Sequence, residues 1–261
     1  MCAAKHRSSC PLTAKCSWAV VLTAVCYKKI HKIKGLAQMN PNGIDIQPRV
    51  AACPELIVAL TGLATSVVSD VMGRSIGAVG LLPVNKSPVS ACGHAVTVSV
   101  RAGDNLLIHK ALQMLQPGDV LVVDGGGDVS RALFGEIMMS IAKAKGAVAC
   151  VFDAAVRDVE AFERHRFPCW ARGVNMRGPL KDGPGTVNTI ISIAGMVVHP
   201  GDIILADGDG VIAVRPDDVH TAAQLAKDKT ATEQAMIQSI LEGRYDGVWV
   251  DVALQQKGVK L

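Results

Sequence analysis

Regular hydrophobic spacing begins at Pro54. Residues 54–60 and 65–72 place apolar side chains at helical spacing, and a glycine follows each segment as a stop signal (Gly62 and Gly73). Residues 93–100 instead alternate and are rich in valine, which predicts a strand. The body of the chain therefore contains both helical and strand patterns.

Four further segments continue the alternation. Asp104 is a plausible N-cap for a helix to about Leu115, and residues 120–123 predict a short buried strand. A helical pattern over 134–145 is followed by a strand over 147–152 that is apolar throughout. Because strands and helices alternate in this order, the sequence predicts an α/β fold whose sheet contains parallel pairs.

One segment occurs twice. Residues 117–125 (PGDVLVVDG) recur as residues 200–208 (PGDIILADG), which predicts two equivalent units of a tight turn followed by a strand. A further strand over 210–214 follows the second copy. Pro216 then opens a long C-terminal helix that we expect to end near Gly243.

Composition places the chain among folded proteins with an aliphatic core. Of its 261 residues, 49% are hydrophobic and 19% charged, which excludes a disordered chain. Aromatic residues make up 3%, too few for a nucleic-acid surface built on base stacking. No apolar run approaches the roughly 20 residues of a membrane span. We therefore expect neither a nucleic-acid partner nor a membrane partner.

A basic leader precedes the body. Residues 1–38 hold seven Lys or Arg and no acidic residue, so the remainder has 20 basic against 23 acidic residues despite the overall charge of +4. We divide the chain into a leader, residues 1–50, expected to be poorly ordered or extraneous, and a single domain, residues 51–261. Positive charge directly after the apolar stretch of this leader argues against a signal peptide. A transit peptide and an extension upstream of Met39 both stay open.

The cysteines give no sign of a metal or redox motif. All eight are scattered, and none stands in a C-x-x-C pair. Free thiols in a reducing compartment are the simplest interpretation, so we expect the protein in the cytoplasm.

The residues most suggestive of chemistry lie between 134 and 162. Glu136 stands at the start of one predicted helix, and Arg157 with Asp158 stands at the start of the next. Strand C-termini and helix N-termini converge on one edge of an α/β sheet, where ligands bind. Two carboxylates, a guanidinium and the free amides of Ile137 and Met138 suit a divalent cation with an oxyanion substrate. The plainer interpretation is a helix cap with surface charges.

The chain resembles the RraA-like superfamily, and within it the 4-hydroxy-4-methyl-2-oxoglutarate / 4-carboxy-4-hydroxy-2-oxoadipate aldolases. The resemblance spans about residues 54–243. It rests on these segments: Gly103-Asp104-Asn105, Ile108-His109, Phe134-Gly135-Glu136, Val156-Arg157-Asp158-Val159, Phe167-Pro168 with Trp170, Gly185-Thr186-Val187-Asn188, Pro200-Gly201-Asp202 and Asp207-Gly208-Asp209-Gly210-Val211.

The resemblance implies a swivelling β/β/α fold with a C-terminal helix, assembled as a homotrimer or hexamer with the active site between subunits. It implies a pyruvate aldolase that depends on Mg²⁺ or Mn²⁺ and cleaves one of those two 2-oxo acids through a metal-stabilised pyruvate enolate. Oxaloacetate decarboxylation is the implied side activity.

The resemblance also implies roles for individual residues. Asp158 would ligate the metal directly, and Glu136 would hold it through water and take part in catalysis. Arg157 would bind the pyruvyl oxygen and stabilise the enolate. Gly135, Ile137 and Met138 would bind the substrate, and the amides of Ile137 and Met138 would hold its carboxylate. A glutamate from an adjacent subunit would complete the site, and Glu233 and Glu242 are equal candidates.

Two alternatives stay open. A Schiff-base aldolase would need an activated lysine, and the candidates on the helices are Lys110, Lys143 and Lys145. A non-catalytic regulator of ribonuclease activity that binds ribonuclease E would share the fold, and fold alone does not decide function.

Overall fold

The computed structural model describes residues 42–261, which belong to one compact unit, Asn40–Leu261. Twelve strands lie within these residues: β1 (Ile44–Ile46), β2 (Leu82–Pro83), β3 (Ala91–Val100), β4 (Asp119–Asp124), β5 (Ala132–Phe134), β6 (Ala149–Val156), β7 (Cys169–Val174), β8 (Gly185–Val187), β9 (Ile191–Ile193), β10 (Met196–Val198), β11 (Ile203–Ala206) and β12 (Val211–Val214).

Seven α-helices lie in the same part of the chain: α1 (Pro54–Leu60), α2 (Thr65–Val71), α3 (Leu106–Met114), α4 (Glu136–Ala144), α5 (Val159–Arg164), α6 (Val219–Leu241) and α7 (Val248–Gln256). A short 3-10 turn over Pro216–Asp218 precedes α6. The long helix predicted after Pro216 is thus confirmed, while α7 had no signal in the sequence pattern.

One sheet organises the fold. Its main order is β1-β8-β3-β4-β6-β7-β2, with β11 on β3, β12 on β11 and β5 on β6. The pairs β3–β4, β4–β6 and β6–β7 are parallel, as the alternation of strands and helices predicted. A separate antiparallel pair joins β9 to β10.

The four central residues of β4, 120–123, are all apolar, as expected for a strand that is covered on both faces of the sheet. Leu121 and Val123 pack in a cluster that includes side chains of α3, α4 and α5. Val120 and Val122 face the opposite side, where they pack with side chains of the β9–β10 pair. A third cluster joins α1, α2 and α6 to β11 and β12.

The two copies of the repeated turn are equivalent in structure. Asp119 Oδ2 accepts a hydrogen bond from the Gln116 N–H at 2.8 Å, and Asp202 Oδ2 accepts one from the His199 N–H at 2.8 Å. In each copy a carboxylate therefore closes the turn onto the backbone three residues earlier, as the repeated Pro-Gly-Asp predicted.

Several predicted boundaries differ from the structure; the strand predicted over 147–152, for example, is observed over Ala149–Val156. The helix α3 begins after Asn105, and Asp104 Oδ1 accepts the Leu106 N–H at 2.9 Å from one position before the cap. Phe134 ends a strand rather than beginning a helix. Residues 42–50, which the sequence assigned to the leader, contribute β1 and the ion pair of Arg49 with Asp119. Residues 1–41 of that leader lie outside the described residues.

Among residues 42–261, no single helix combines the length and the apolar character needed to cross a bilayer. The bent pair Pro54–Leu60 and Thr65–Val71, with 97° between its helices, meets those two criteria only when both helices are taken together.

Candidate active site

Two strand-to-helix turns lie side by side at the carboxyl edge of the sheet. The strand β5 ends at Phe134, and Glu136 begins α4 after Gly135. The strand β6 ends at Val156, which pairs with Phe134. A hydrogen bond from the Arg157 N–H to the Phe134 carbonyl, 2.9 Å long, joins the turns. The pairing of two short parallel strands thus brings together segments more than 20 residues apart.

Asp158 links the two turns through its side chain. Its Oδ2 accepts the backbone N–H of Glu136 at 3.0 Å, so it caps α4 and not its own helix α5. Its backbone is left-handed, with φ 58° and ψ 42°. A residue other than glycine rarely adopts this conformation, and such strain clusters at functional sites. The strained turn aims the Asp158 carboxylate at the start of the neighbouring helix.

Gly135 makes this approach possible. A Cβ atom there would lie 2.5 Å from Asp158 Oδ2 and 3.0 Å from Arg157 Cγ. The φ of Gly135 is −157°, which any residue can adopt, so space and not backbone conformation requires the glycine. The missing side chain lets a carboxylate and a guanidinium both reach the first turn of α4.

The first turn of α4 is a ready anion site. Met139 is the first residue whose N–H closes a helical hydrogen bond, to the Gly135 carbonyl at 2.9 Å. The preceding amides of Ile137 and Met138 belong to the groups that a helix leaves without internal partners. Ile137 and Met138 line a cavity of about 40 Å³ together with Arg157 and Asp158. Amides at a helix N-terminus favour a bound carboxylate.

The positive charge of Arg157 remains available to a ligand. Its Nε lies 3.7 Å from Asp158 Oδ2, and its side chain is 43% exposed. Within the described part of the chain, no hydrogen bond engages its guanidinium. The Arg157 guanidinium therefore lies near the Asp158 carboxylate while its hydrogen-bond donors stay available to a ligand.

Glu136 faces a second cleft. This cleft has a volume of about 350 Å³ and is lined by Glu136, Asp158, Val159, Glu160, Ala161 and Arg164. Glu136 Oε1 accepts a hydrogen bond from Arg164 at 2.5 Å and lies 3.4 Å from His165 Nε2. Sequence reasoning did not single out Arg164, whose only signal was a basic residue in the last turn of a short helix.

The structure thus brings the predicted site residues to two adjoining cavities that share Asp158: Gly135, Glu136, Ile137, Met138, Arg157 and Asp158. Their chemical roles stay predictions. Glu233 and Glu242 line neither cavity. Glu233 Oε1 pairs with Lys229 at 2.9 Å, and Glu242 Oε1 accepts from Gln238 at 2.7 Å.

The donor set fits a cation that needs few protein ligands. Across residues 42–261, no group of three or more His, Cys, Asp and Glu side chains is arranged to hold a metal ion. Asp158 and Glu136 offer two half-exposed carboxylates beside open space. Magnesium is commonly bound through one or two carboxylates, with waters and substrate completing its shell. Such a set does not suit a structural zinc site.

Comparison with known proteins identifies a family and a relative of this chain. A family model described as RraA-like, Aldolase/RraA, matches residues 65–213, which include both turns. A relative from Halalkalibacterium halodurans named "Putative 4-hydroxy-4-methyl-2-oxoglutarate aldolase" is 34% identical over 187 residues. The match covers 71% of this chain and 89% of the relative.

Solved structures share the fold. "RNA-processing inhibitor RraA from Thermus thermophilis" superposes with a TM-score of 0.53 at 29% identity, covering 58% of this chain and 92% of that chain. Streptomyces coelicolor RraAS2, described as an unusual member of the RNase ES inhibitor RraA protein family, gives a TM-score of 0.65 at 23% identity, covering 72% and 98%. These neighbours confirm the predicted α/β fold with a C-terminal helix.

Proposed function

The chain belongs to the RraA-like Aldolase/RraA family, and from this membership and the geometry of the site we propose that it is a divalent-metal-dependent pyruvate aldolase. Its proposed substrate is 4-hydroxy-4-methyl-2-oxoglutarate or 4-carboxy-4-hydroxy-2-oxoadipate. One observation carries the proposal: the hydrogen bond from the Glu136 amide to Asp158 Oδ2, which joins an anion-binding helix start to a carboxylate and a guanidinium. A 2-oxo acid presents a carboxylate and an adjacent carbonyl oxygen, the kinds of acceptor that helix-start amides and a guanidinium bind.

The metal in this proposal is Mg²⁺ or Mn²⁺. Asp158 would hold it directly, and Glu136 would hold it through water. The bound cation supplies Lewis acidity where negative charge develops on the substrate carbonyl oxygen. The two half-exposed carboxylates support this assignment because they are the ligand type and number that these ions commonly use.

The chain's own residues bind and orient the pyruvyl half. The amides of Ile137 and Met138 hold the C1 carboxylate at the start of α4. Arg157 donates to the C2 oxygen, and its charge stabilises the enolate that forms when the C3–C4 bond breaks. The electron pair of that bond moves into the enolate, and the proton of the C4 hydroxyl passes through a water to Glu136. Protonation at C3 then gives pyruvate.

The same enolate explains the proposed side activity. Loss of CO₂ from oxaloacetate leaves a pyruvate enolate, so the groups that stabilise one reaction stabilise the other. The natural substituent at C4 differs between the two proposed substrates. Arg164, the one basic residue that lines the cleft beyond Asp158, is a group to which a distal carboxylate could bind, in exchange for its contact with Glu136.

We further propose a homotrimer or hexamer with sites between subunits, in the cytoplasm. The C-terminal part of the chain supports assembly because it is apolar and uncovered. No residue of α7 is buried, and these large apolar residues of α6, α7 and the segment between them are exposed: Met236, Ile237, Ile240, Leu241, Tyr245, Val248, Trp249, Val250 and Val252. Contiguous exposed apolar surface of this kind marks an interaction site. Glu233 or Glu242 would then reach a neighbouring site.

A second function has one observation in its favour. The Thermus structure that shares the fold at 29% identity is described as an RNA-processing inhibitor. The alternative proposal is therefore a non-catalytic regulator that binds ribonuclease E. Pull-down with purified ribonuclease E and measurement of RNA cleavage would detect it, and this activity should survive removal of Asp158.

Pyruvate release from 4-hydroxy-4-methyl-2-oxoglutarate tests the proposed function. We expect release with Mg²⁺, loss on chelation and recovery on readdition of metal. Asp158→Ala should not recover, whereas Asp228→Ala, which removes an exposed carboxylate of α6, should behave as the wild type. Activity that survives chelation, with inactivation by borohydride and pyruvate, would instead indicate a Schiff-base lysine. No release with any metal would overturn the proposal.

A further inference from the structure

A third cleft lies outside the candidate active site, where the segment after β2 meets the end of α5. Five residues of the segment 85–90 line it together with Glu163, Arg166 and Pro168. Its volume of about 400 Å³ falls in the range of clefts that bind small molecules. It shares no lining residue with the two cavities that meet at Asp158.

One wall of this cleft is firmly held. Asn85 is buried, and its Nδ2 donates to the Phe167 carbonyl at 3.2 Å. Its Oδ1 accepts the Cys169 N–H at 3.0 Å, so both ends of the amide bind the backbone around the start of β7. The segment after β2 is therefore fixed against α5 and β7, as a binding site requires.

Arg166 occupies a position at which glycine is usual. Its N–H donates to the Glu163 carbonyl at 3.0 Å, and the Phe167 N–H donates to the Phe162 carbonyl at 3.0 Å. These two bonds form the motif that commonly ends a helix, in which the residue after the cap is left-handed. The φ of Arg166 is 48°, a conformation that strains any residue with a side chain. Such strain is a reason to ask what the side chain does.

The Arg166 side chain is exposed, and its guanidinium is unpaired. Within residues 42–261, no hydrogen bond or ion pair engages it, and none engages the hydroxyl of Ser90. Both side chains line the cleft. A guanidinium presents planar paired donors that match the oxygens of a carboxylate or a phosphate. The cleft therefore offers free donors suited to an oxyanion.

The one acidic residue of the cleft is already engaged. Glu163 accepts hydrogen bonds from the Ser87 hydroxyl, from the Ser87 N–H at 3.3 Å and from the Lys86 N–H at 2.9 Å. The bonds from Ser87 lower the pKa of the Glu163 carboxyl, because they favour its charged form. Its negative charge is thus compensated by the segment that it holds.

Positive charge predominates around the end of α5. Lys143 Nζ donates to the carbonyl of His165, the residue before Arg166, at 2.8 Å. Lys86 lines an adjoining cavity together with Glu163. Three cationic side chains, Lys86, Lys143 and Arg166, therefore surround one compensated carboxylate, and the local field favours an anion.

We propose that this cleft binds a small organic molecule through an oxyanion group, a phosphate monoester or a carboxylate. The Arg166 guanidinium and the Ser90 hydroxyl hold the oxyanion, and the apolar part of the ligand packs against Pro88, Val89 and Pro168. The cleft is larger than an oxyanion alone requires, and these three residues supply its apolar lining. The site is separate from the proposed aldolase site and does not depend on that function.

Arg74 is the matched control. It is also an arginine in a left-handed conformation, with a φ of 61°. Its Nε lies 3.4 Å from Asp70 Oδ1, so a carboxylate of the chain already engages its guanidinium. It does not line the cleft. Replacing Arg74 with glycine therefore changes the same backbone conformation while leaving the proposed site intact.

Calorimetric titration with phenyl phosphate and with benzoate tests the proposal. The wild type should bind at least one of them, and the more tightly bound probe identifies the oxyanion group. Arg166→Gly should weaken that binding by about tenfold or more, the value of a hydrogen bond between charged groups. Arg74→Gly should bind as the wild type does. Arg157→Ala, which alters the candidate active site, should keep the binding event that Arg166→Gly loses.

Thermal unfolding excludes loss of folding as the cause. Glycine relieves the left-handed backbone, so Arg166→Gly should melt at the wild-type temperature or a few degrees above it. A lower melting temperature would assign the side chain to the fold and overturn the proposal. It would also be overturned if the wild type bound neither probe, if Arg166→Gly bound as tightly as the wild type, or if only Arg157→Ala lost the binding.

Discussion

Charged side chains are buried at the amino edge of the parallel strands and half exposed at the carboxyl edge. At the amino edge, Asp119 and Asp202 are 0% and 2% exposed. Asp119 pairs with Arg49, and Arg215 Nη1 lies 3.1 Å from Asp202 Oδ1. Burial raises the pKa of the Asp202 carboxyl, because the charged form has lost its water. These charges are engaged in holding turns together.

At the carboxyl edge the charged side chains are half exposed. The side chains of Glu136, Arg157 and Asp158 are each about 40% exposed and line open cavities. A strained turn and a glycine without room for a Cβ hold them close together. The charges of the amino edge are buried and paired, whereas those of the carboxyl edge are half exposed: Glu136 pairs with Arg164, and the guanidinium of Arg157 makes no hydrogen bond within residues 42–261. The amino edge therefore stabilises the fold, whereas the carboxyl edge carries the candidate site.

The largest effect should come from Asp158. Asp158→Ala removes the carboxylate proposed to bind the metal directly, so pyruvate release at limiting Mg²⁺ should fall by about a thousandfold, since metal catalysis supplies several kcal/mol. The variant should stay folded with a melting temperature lower by only a few degrees, because it loses the cap on α4 and places alanine in a left-handed backbone, which together cost about 1–2 kcal/mol. Steady-state assays and calorimetry measure the two quantities. Retention of most of the activity would remove Asp158 from the metal site.

The converse should hold for Asp119. Asp119→Ala leaves Arg49, which is 12% exposed, without its partner and frees the Gln116 amide. Breaking a buried ion pair by removing one member costs about 3 kcal/mol or more in unfolding free energy. Urea denaturation should show this loss, while activity per folded molecule should be nearly unchanged. A stable but inactive variant would contradict the division between the edges.

Arg157→Lys tests whether geometry as well as charge matters at the carboxyl edge. A guanidinium presents planar paired donors that an ammonium cannot reproduce, so kcat/KM for pyruvate release should fall by about a hundredfold. The proposed role requires the loss to approach that of Arg157→Ala. If the lysine variant keeps most of its kcat, Arg157 is only a nearby positive charge.

The smallest effect concerns pH and the amino edge. Burial lowers the pKa of His94 from its ordinary 6.5, and its Nε2 accepts the Cys53 N–H at 2.8 Å. Because the pKa of His94 in the folded state lies below 6.5, the residue contributes stability that is fully present above pH 6.5 and is lost as the pH falls below that value. The loss in unfolding free energy is about 1.4 kcal/mol for each unit by which the pKa is lowered. The difference between the unfolding free energies at pH 7.5 and pH 5.5 should therefore be smaller in His94→Gln than in the wild type. The same pH dependence in wild type and variant would contradict this assignment.

The sequence predicted the carboxyl edge better than the amino edge. The apolar strand before Arg157 and the helical spacing after Glu136 were visible, and the convergence of strand ends in α/β sheets brought these residues together. The repeated Pro-Gly-Asp likewise predicted the two tight turns at the amino edge. These features depend on local pattern and on general rules of sheet topology.

Contacts made at a distance were not predictable. Nothing in the local pattern shows that Asp158 caps α4, 22 positions away, or that Arg164 reaches Glu136. The hydrogen bonds from Asn105 Nδ2 to the Leu133 carbonyl and the Met138 sulfur depend on where those two residues come to lie. The short strands β8, β9 and β10 contain too few residues to show a period. Tertiary packing decides each of these features.

Exchange of the methyl protons of pyruvate in D₂O, followed by NMR, tests the central claim most directly, because it reports enolate formation without requiring the natural substrate. We predict exchange by the wild type with Mg²⁺, none after chelation and none in Asp158→Ala. Asp119→Ala, assayed where it is folded, should exchange at the wild-type rate. A wild type that does not exchange with any divalent metal, or an Asp158→Ala variant that exchanges normally, would contradict the assignment of enolate chemistry to the carboxyl edge.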